Sequence, residues 1–248
     1  MSGHRFFITP ELFDGAETRF PVDISRQIAS VLRLKTGTMV TILDNRGQCR
    51  SVELLEIDSK HTLGLPGLIQ PAGGEPAVDL ILCPALSQRE KFELILQKGC
   101  ELGVKEFYPV ITSRTLVQES RGLDEKLPRW QKILQEAAEQ CGRGVIPTIS
   151  TPVKWDVLMK RLTGLPGYIF HEKVNEKGFL DDLNNKLSSG IKQFALFIGP
   201  EGGFSEEEVT LARQAGFLPV SLGGRILRME TAAIAACAVS MAAAGELD

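Results

Sequence analysis

Short β-like runs dominate the first part of the chain. Met39-Val40-Thr41-Ile42-Leu43 is an apolar run, Asp44-Asn45-Arg46-Gly47 reads as a turn, and Arg50 to Ile57 alternates as a hairpin partner. A helix is predicted before it over Ile24 to Leu34, with Ile28, Val31 and Leu32 on one face. This pattern predicts a small β-barrel or sandwich. The stretch Leu65-Pro66-Gly67 to Glu75-Pro76 carries three prolines together with Gly67, Gly73 and Gly74 and has little periodicity. It reads as a boundary, placing one domain at 1–72 and a second at 73–248.

Beyond the boundary the pattern changes. Val78 to Leu82 reads as a buried strand, Arg89 to Leu102 as a helix with Phe92, Ile95, Leu96 and Gly99 at helical spacing, and Phe107 to Ile111 as a second strand. Helices are predicted over Glu125–Gln140, Trp155–Leu162, Phe179–Leu187, Glu206–Ala215 and Glu230–Ala244. Strands are predicted over Tyr168–Phe170, Phe194–Ile198 and Leu218–Leu222. Strands alternating with helices predict an α/β domain with a mostly parallel sheet.

Composition narrows the class without naming a chemistry. Hydrophobic residues make up 43% and charged residues 24%, as in ordinary globular chains. No apolar run reaches the length of about 18 residues needed to span a membrane, and Met1 to Pro10 has no signal-peptide core. The expectation is a cytoplasmic protein with no membrane partner. Cys49, Cys83, Cys100, Cys141 and Cys237 are scattered and form no CxxC pair, and His4, His61 and His171 are dispersed, so no metal is expected. Net charge is −3, and the first 72 residues balance eight basic against eight acidic side chains. Charge alone therefore argues against a nucleic-acid partner, and any RNA contact needs a local basic face.

Two glycine-bearing loops follow predicted strands. One is Ile198-Gly199-Pro200-Glu201-Gly202-Gly203-Phe204, the other Ser221-Leu222-Gly223-Gly224-Arg225-Ile226-Leu227-Arg228. Ligands of parallel sheets bind beyond the C-terminal strand ends, and glycine there lets main-chain groups approach a ligand. Each loop alone also reads as a plain tight turn; two in succession favour a ligand site. Neither is a Walker loop or a GxGxxG fingerprint. Ser205 and Glu208 fit a capping box, a structural role. Glu201 sits inside its glycine turn, where it either pins the loop or faces a ligand. Arg228 and Glu230 lie at the mouth of the last helix, as a surface ion pair or as a site where Arg228 steers a phosphate or base edge. Arg143, between Gly142 and Gly144, reads as exposed and mobile, a candidate RNA contact or a helix-end charge. Lys91, Lys98 and Lys105 read as a solvated row.

Several motifs together resemble a known family. They are Arg5-Phe6-Phe7, Val31-Leu32-Arg33-Leu34-Lys35-x-Gly37, Glu101-Leu102-Gly103-Val104, Glu139-Gln140-Cys141-Gly142-Arg143, the first glycine loop, and Leu222-Gly223-x-Arg225-Ile226-Leu227-Arg228-x-Glu230-Thr231-Ala232. In this order they resemble the 16S rRNA uracil-N3 methyltransferases (RsmE type) of the SPOUT superfamily, almost end to end. The resemblance implies a PUA-like RNA-binding β-barrel followed by an α/β domain with a C-terminal trefoil knot. It also implies a homodimer, S-adenosylmethionine as cofactor, and the uridine at position 1498 of 16S rRNA, in the decoding region of the 30S subunit, as substrate. Carried over by motif, the cofactor residues are Ile198, Gly199, Pro200, Gly202, Gly203, Leu222, Gly223, Ile226, Leu227, Arg228 and Thr231, with His171 and Glu172 as a third wall. One departure stands out: the family often carries His or a second polar residue near Ser25-Arg26-Gln27, and this chain has no His there.

Uracil N3 carries a proton at neutral pH, so methylation there needs a base or a cation that stabilises the anion. Arg228 is the expected anion stabiliser, with Glu230 or Glu201 as base candidates. Arg5, Arg33, Lys35 and Arg143 are the expected RNA contacts. Two other classes stay open: a non-catalytic RNA-binding or ribosome-assembly factor retaining the fold, and an α/β enzyme acting on a free nucleotide. The β-rich N-terminal part disfavours the latter.

Overall fold

The computed structural model describes residues 3–116, 122, 124–172 and 178–247. The chain divides into two compact units. The first comprises 1–75 with 135–146, the second 76–134 with 147–248.

The first unit is built on a five-stranded sheet in the order β1-β3-β4-β5-β2. Its strands are β1 (Arg5–Phe7), β2 (Thr18–Phe20), β3 (Met39–Leu43), β4 (Gln48–Ile57) and β5 (Thr62–Pro71). The expected hairpin is present: β3 and β4 are antiparallel, with Leu43 opposite Cys49. Asn45, at φ 59, and Gly47, at φ 90, turn the chain between them. Phe6, Phe13, Phe20, Ile28, Ile42 and Leu54 form the centre of its core.

Two sequence expectations are corrected in this unit. Residues 65–71, read as linker, belong to β5 and pair with β4. Pro66 and Pro71 are tolerated because β2 pairs only with Thr62–Gly64, leaving one flank of β5 without a strand neighbour. After a single helical turn, α1 (Pro10–Phe13), the helix expected over Ile24–Leu34 is instead α2 (Val22–Arg26) running into a π-helical turn over Gln27–Val31. That wider turn changes which side chains face inward. Ile28 is fully buried, whereas Val31 is 71% exposed. Leu34 N–H then bonds Ile28 C=O, and Arg33 closes the end at φ 52, a left-handed position usually held by glycine.

Residues 135–146 group with the first unit through specific bonds. Phe7 N–H donates to Glu139 Oε1 at 3.1 Å, and Ile146 N–H donates to Asn45 Oδ1 at 2.7 Å. Glu75 Oε1 accepts from the N–H groups of Gly144 and Val145, while Glu75 Oε2 pairs with Arg143 Nη2 at 2.7 Å.

The second unit holds a six-stranded sheet, β13-β11-β12-β6-β7-β9, with every neighbouring pair parallel. Its strands are β6 (Asp79–Pro84), β7 (Val104–Phe107), β9 (Thr148–Ile149), β11 (Gly167–Phe170), β12 (Gln193–Ile198) and β13 (Leu218–Val220); β8 (Val110–Ile111) pairs separately with β10 (Val153–Lys154). The single strand expected over Phe107–Ile111 is thus divided. Pro109 has no N–H to donate, and the ladder breaks beside it. Phe194 to Ile198 are all buried, so helices cover both faces of β12. One group is α3 (Arg89–Glu101), α6 (Phe179–Ser188) and α8 (Met229–Ala243), with α8 packed on the other two. The other is α5 (Trp155–Leu162) with α7 (Glu206–Gln214). The remaining long helix, α4 (Leu127–Cys141), runs from the second unit into the first. Its start lies on α3, where Trp130 stacks against Phe92 at 4.8 Å. No described helix is long and apolar enough to cross a membrane.

Candidate active site

The sheet order decides where the two glycine loops lie. β11 sits between β12 and β13, and its last residue, Phe170, is in register with Ile198 on one side and Val220 on the other. The first loop leaves β12 and the second leaves β13, so both start at one edge of the sheet, separated by a single strand. Neighbouring strands are about 4.8 Å apart, which places the two exits about 10 Å from each other. His171 and Glu172 leave β11 between them. His171 N–H continues the ladder to Val220 C=O at 3.0 Å. His171 is buried and Glu172 exposed.

Within the first loop some main-chain groups are tied and others are not. Gly203, at φ +68, reverses the chain, and its N–H bonds Pro200 C=O at 2.8 Å. Ile198 C=O accepts from Ala85 N–H. The N–H groups of Gly199 and Gly202 have no partner among the described residues. At Gly199 a Cβ would stand 3.1 Å from the Phe204 ring, closer than a side chain comfortably sits. Phe204 is buried against Trp155, ring centroids 4.8 Å apart, which anchors the end of the loop on α5.

Among the described residues, the hydrogen bonds of the second loop lie at its start. Ser221 Oγ accepts from Gly223 N–H at 3.2 Å and donates to Gly223 C=O at 3.1 Å. Gly223 has φ +108, and an added Cβ on Gly223 or Gly224 would meet nothing within 4 Å. From Gly224 to Leu227 no backbone hydrogen bond is formed among the described residues. Leu222 is half-buried and Ile226 is 84% exposed. The result is a wall of peptide groups unpaired among the described residues, with apolar side chains beside them and open space at Gly223 and Gly224. Such a wall suits an adenine edge and the carboxylate of an amino acid.

Charged residues at the mouth take distinct places. Arg228 is the N-cap residue of α8 and is exposed, with no ion pair to Glu230 among the described residues. Glu230 lies in the first turn of α8, and its Oε2 is buried with no hydrogen-bond partner among the described residues. Thr231 follows it, exposed. Glu201 instead pairs with Lys91 of α3 at 2.7 Å, and this bond holds its carboxyl below the usual carboxylate range. Lys98 and Lys105 are also paired, with Glu101 and Asp79, so the lysines form no free row.

The expected RNA contacts separate into two kinds. Arg33 and Lys35 are exposed in the first unit, and Arg5 is half-buried with its guanidinium against Gly142. Arg143 is corrected: it is 3% exposed and paired with Glu75. The tight turn at Gly142, φ +90, directs the side chain inward, not out to solvent.

Residues 112–115 contribute to the site although periodicity singled out none of them. Arg114 Nη1 donates to Gly202 C=O at 2.7 Å and to Phe204 C=O at 3.4 Å. Ser113 N–H donates to Glu208 Oε1 at 2.7 Å. The expected capping box forms in full: Ser205 N–H donates to Glu208 Oε2 and Glu208 N–H to Ser205 Oγ. No local pattern signals a contact between residues about 90 positions apart; an arginine after a short buried strand was the one available hint.

Comparison with known proteins agrees with this geometry. The description of the RNA methyltransferase domain family matches residues 74–241. The ribosomal RNA small subunit methyltransferase E of Synechocystis is 32% identical over 95% of this chain and 76% of its own. A solved protein of Legionella pneumophila, in complex with the bound cofactor SAM, is 31% identical at a TM-score of 0.88, covering 98% of both chains. The ribosomal RNA small subunit methyltransferase E of Neisseria gonorrhoeae, solved with S-adenosyl methionine, is 27% identical at a TM-score of 0.86, covering 97% of both. The chain belongs to the RNA methyltransferase domain family, and within it to the ribosomal RNA small subunit methyltransferase E group.

Proposed function

We propose that this chain methylates N3 of the decoding-region uridine of 16S rRNA, with S-adenosylmethionine as methyl donor. The observation that carries the reading is the joint exit of the two glycine loops on either side of β11. The unpaired N–H groups of Gly199 and Gly202 and the open peptide groups of 224–227 suit the adenosyl and methionyl portions of the donor. Ile198, Pro200, Gly203, Leu222, Gly223, Ile226 and Leu227 complete that wall, and His171, Glu172 and Thr231 border it. Bound there, the donor supplies an electrophilic methyl group on a sulfonium sulfur.

The residues at the mouth then have separate tasks. Arg228, exposed and without an ion pair among the described residues, stabilises the negative charge that develops on the uracil ring as N3 loses its proton. Glu230, in the first turn of α8 beside Arg228, is one base candidate. Glu201 is the other, and its bond to Lys91 lowers its proton affinity, which weakens it in that role. The N3–methyl bond forms as the sulfur–methyl bond breaks, and the N3 proton leaves to the base or to water.

In the same reading the first unit is a PUA-like RNA-binding barrel, with Arg5, Arg33 and Lys35 as its contacts. The segment after β12 forms a trefoil knot, and two copies associate as a homodimer in the cytoplasm. The test is methylation of 30S particles and free rRNA, followed by mass mapping of the product. Arg228→Ala is expected to abolish methyl transfer while donor affinity, read by calorimetry, stays within a few-fold. Wild-type turnover in that variant removes Arg228 from the mechanism. Failure of the wild-type protein to bind the donor favours a non-catalytic RNA-binding or assembly factor instead.

A further inference from the structure

Two peptide units of the first glycine loop are tied at both ends. No peptide bond here is cis, so the C=O and N–H of one unit point in opposite directions. In the unit joining Gly202 to Gly203, the carbonyl accepts from Arg114 and the N–H donates to Pro200. In the unit joining Phe204 to Ser205, the carbonyl lies 3.4 Å from the same Arg114 nitrogen and the N–H donates to Glu208. Glu208 in turn accepts from Ser113 N–H, so the carboxylate that caps α7 also holds the turn carrying Arg114. Gly199 N–H, left unused, lies opposite Ile198 C=O, which Ala85 holds, and Gly202 N–H, also unused, belongs to the residue whose carbonyl Arg114 holds. Phe204 anchors the loop at its end and Glu201 pairs with Lys91, but the glycines offer no side chain to fix their own peptide units, and one nitrogen of the Arg114 guanidinium holds two of these.

We infer that Arg114 is a positioning residue: its guanidinium fixes the first glycine loop in the form whose free N–H groups receive the methyl donor. This rests on the donor site proposed above. Arg114 itself touches no reacting atom in this role, and its stem lies 3.4 Å from where a Gly202 Cβ would stand.

The test compares wild type, Arg114→Met and Arg114→Lys. Met keeps the stem and removes the donors; Lys keeps one cationic donor without the fork. S-adenosylmethionine affinity is read by calorimetry, RNA affinity by filter binding, and Gly203 and Ser205 amide exchange by NMR on the free protein. Arg114→Met is expected to weaken donor affinity about tenfold or more and to speed both amides severalfold, with RNA affinity unchanged. Arg114→Lys should fall between the two. Donor affinity within twofold of wild type, unchanged amide exchange, or a loss confined to RNA affinity each overturns the inference. If wild type binds no donor, the function reading fails and the inference falls with it. If wild type binds and Arg114→Met binds equally well, only the inference falls.

Discussion

Replacing Glu208 by alanine tests whether the capping box does more than end a helix. The side chain is 6% exposed, and each of its oxygens accepts one backbone N–H, from Ser205 at 2.8 Å and from Ser113 at 2.7 Å. A hydrogen bond to a charged acceptor contributes about 1.5–3 kcal/mol. Ser113 is exposed and Ser205 half-buried, so both freed N–H groups can recover water, and the low end applies to each. The expected loss is then about 3 kcal/mol, or a Tm lowered by roughly 6–12 °C for a unit of this size. Glu208→Gln keeps one acceptor and sets its NH2 against the other N–H, so about half the loss is expected. Glu207, exposed in the same first turn, is the control, and Glu207→Ala should leave Tm in place. Differential scanning calorimetry reads all three. If Glu208→Ala lowers Tm no further than Glu207→Ala, the carboxylate is not the bond that unites the 112–115 turn with α7.

Two further outcomes test the charged pairs. Arg143→Ala is expected to destabilise the first unit by about 2–4 kcal/mol in urea unfolding, because Glu75 loses its ion-pair partner and keeps only the N–H donors of Gly144 and Val145. Unchanged stability together with weakened RNA binding would return Arg143 to the role of exposed RNA contact. Glu93 is held at a pKa of about 2 by its bond to Arg129, helped by Arg89, against an ordinary 4.5. A depressed carboxylate contributes stability above its unfolded pKa and loses it as pH falls toward the folded one. The Tm gap between wild type and Glu93→Gln should therefore be full at pH 6 and shrink steadily between about pH 4.5 and 2. Because both arginines are more than half exposed, solvent screening keeps that gap to about 1–2 kcal/mol. A gap that widens with acid refutes the assignment.

Local pattern was enough to read much of this chain. The period of apolar positions located the β3–β4 hairpin, the buried strands β6 and β12 and the helices α3 to α8, because each depends on residues a few positions apart. The capping box at Ser205 and Glu208 was legible for the same reason, and the two glycine loops stood out through composition and their place after strands. Periodicity failed where a neighbour in space set the outcome. The Pro- and Gly-bearing stretch 65–71 became a strand because β4 offers it a ladder. Val31 turned outward because the helix widened into a π turn. Arg143 went inside because Glu75, 68 residues away in sequence, meets it there.

The site itself was decided at the tertiary level. Nothing local states that β11 inserts between β12 and β13, yet that order alone brings Ile198, His171 and Ser221 to one edge of the sheet. Nor does any spacing reveal that Arg114 reaches the carbonyls of Gly202 and Phe204. By itself the sequence determined which segments become strands, helices and glycine turns, through short-range sterics and burial period. Strand order and the partners of each charge were decided only by the folded chain, because pairing across tens of residues depends on which surfaces meet, and no local period records that.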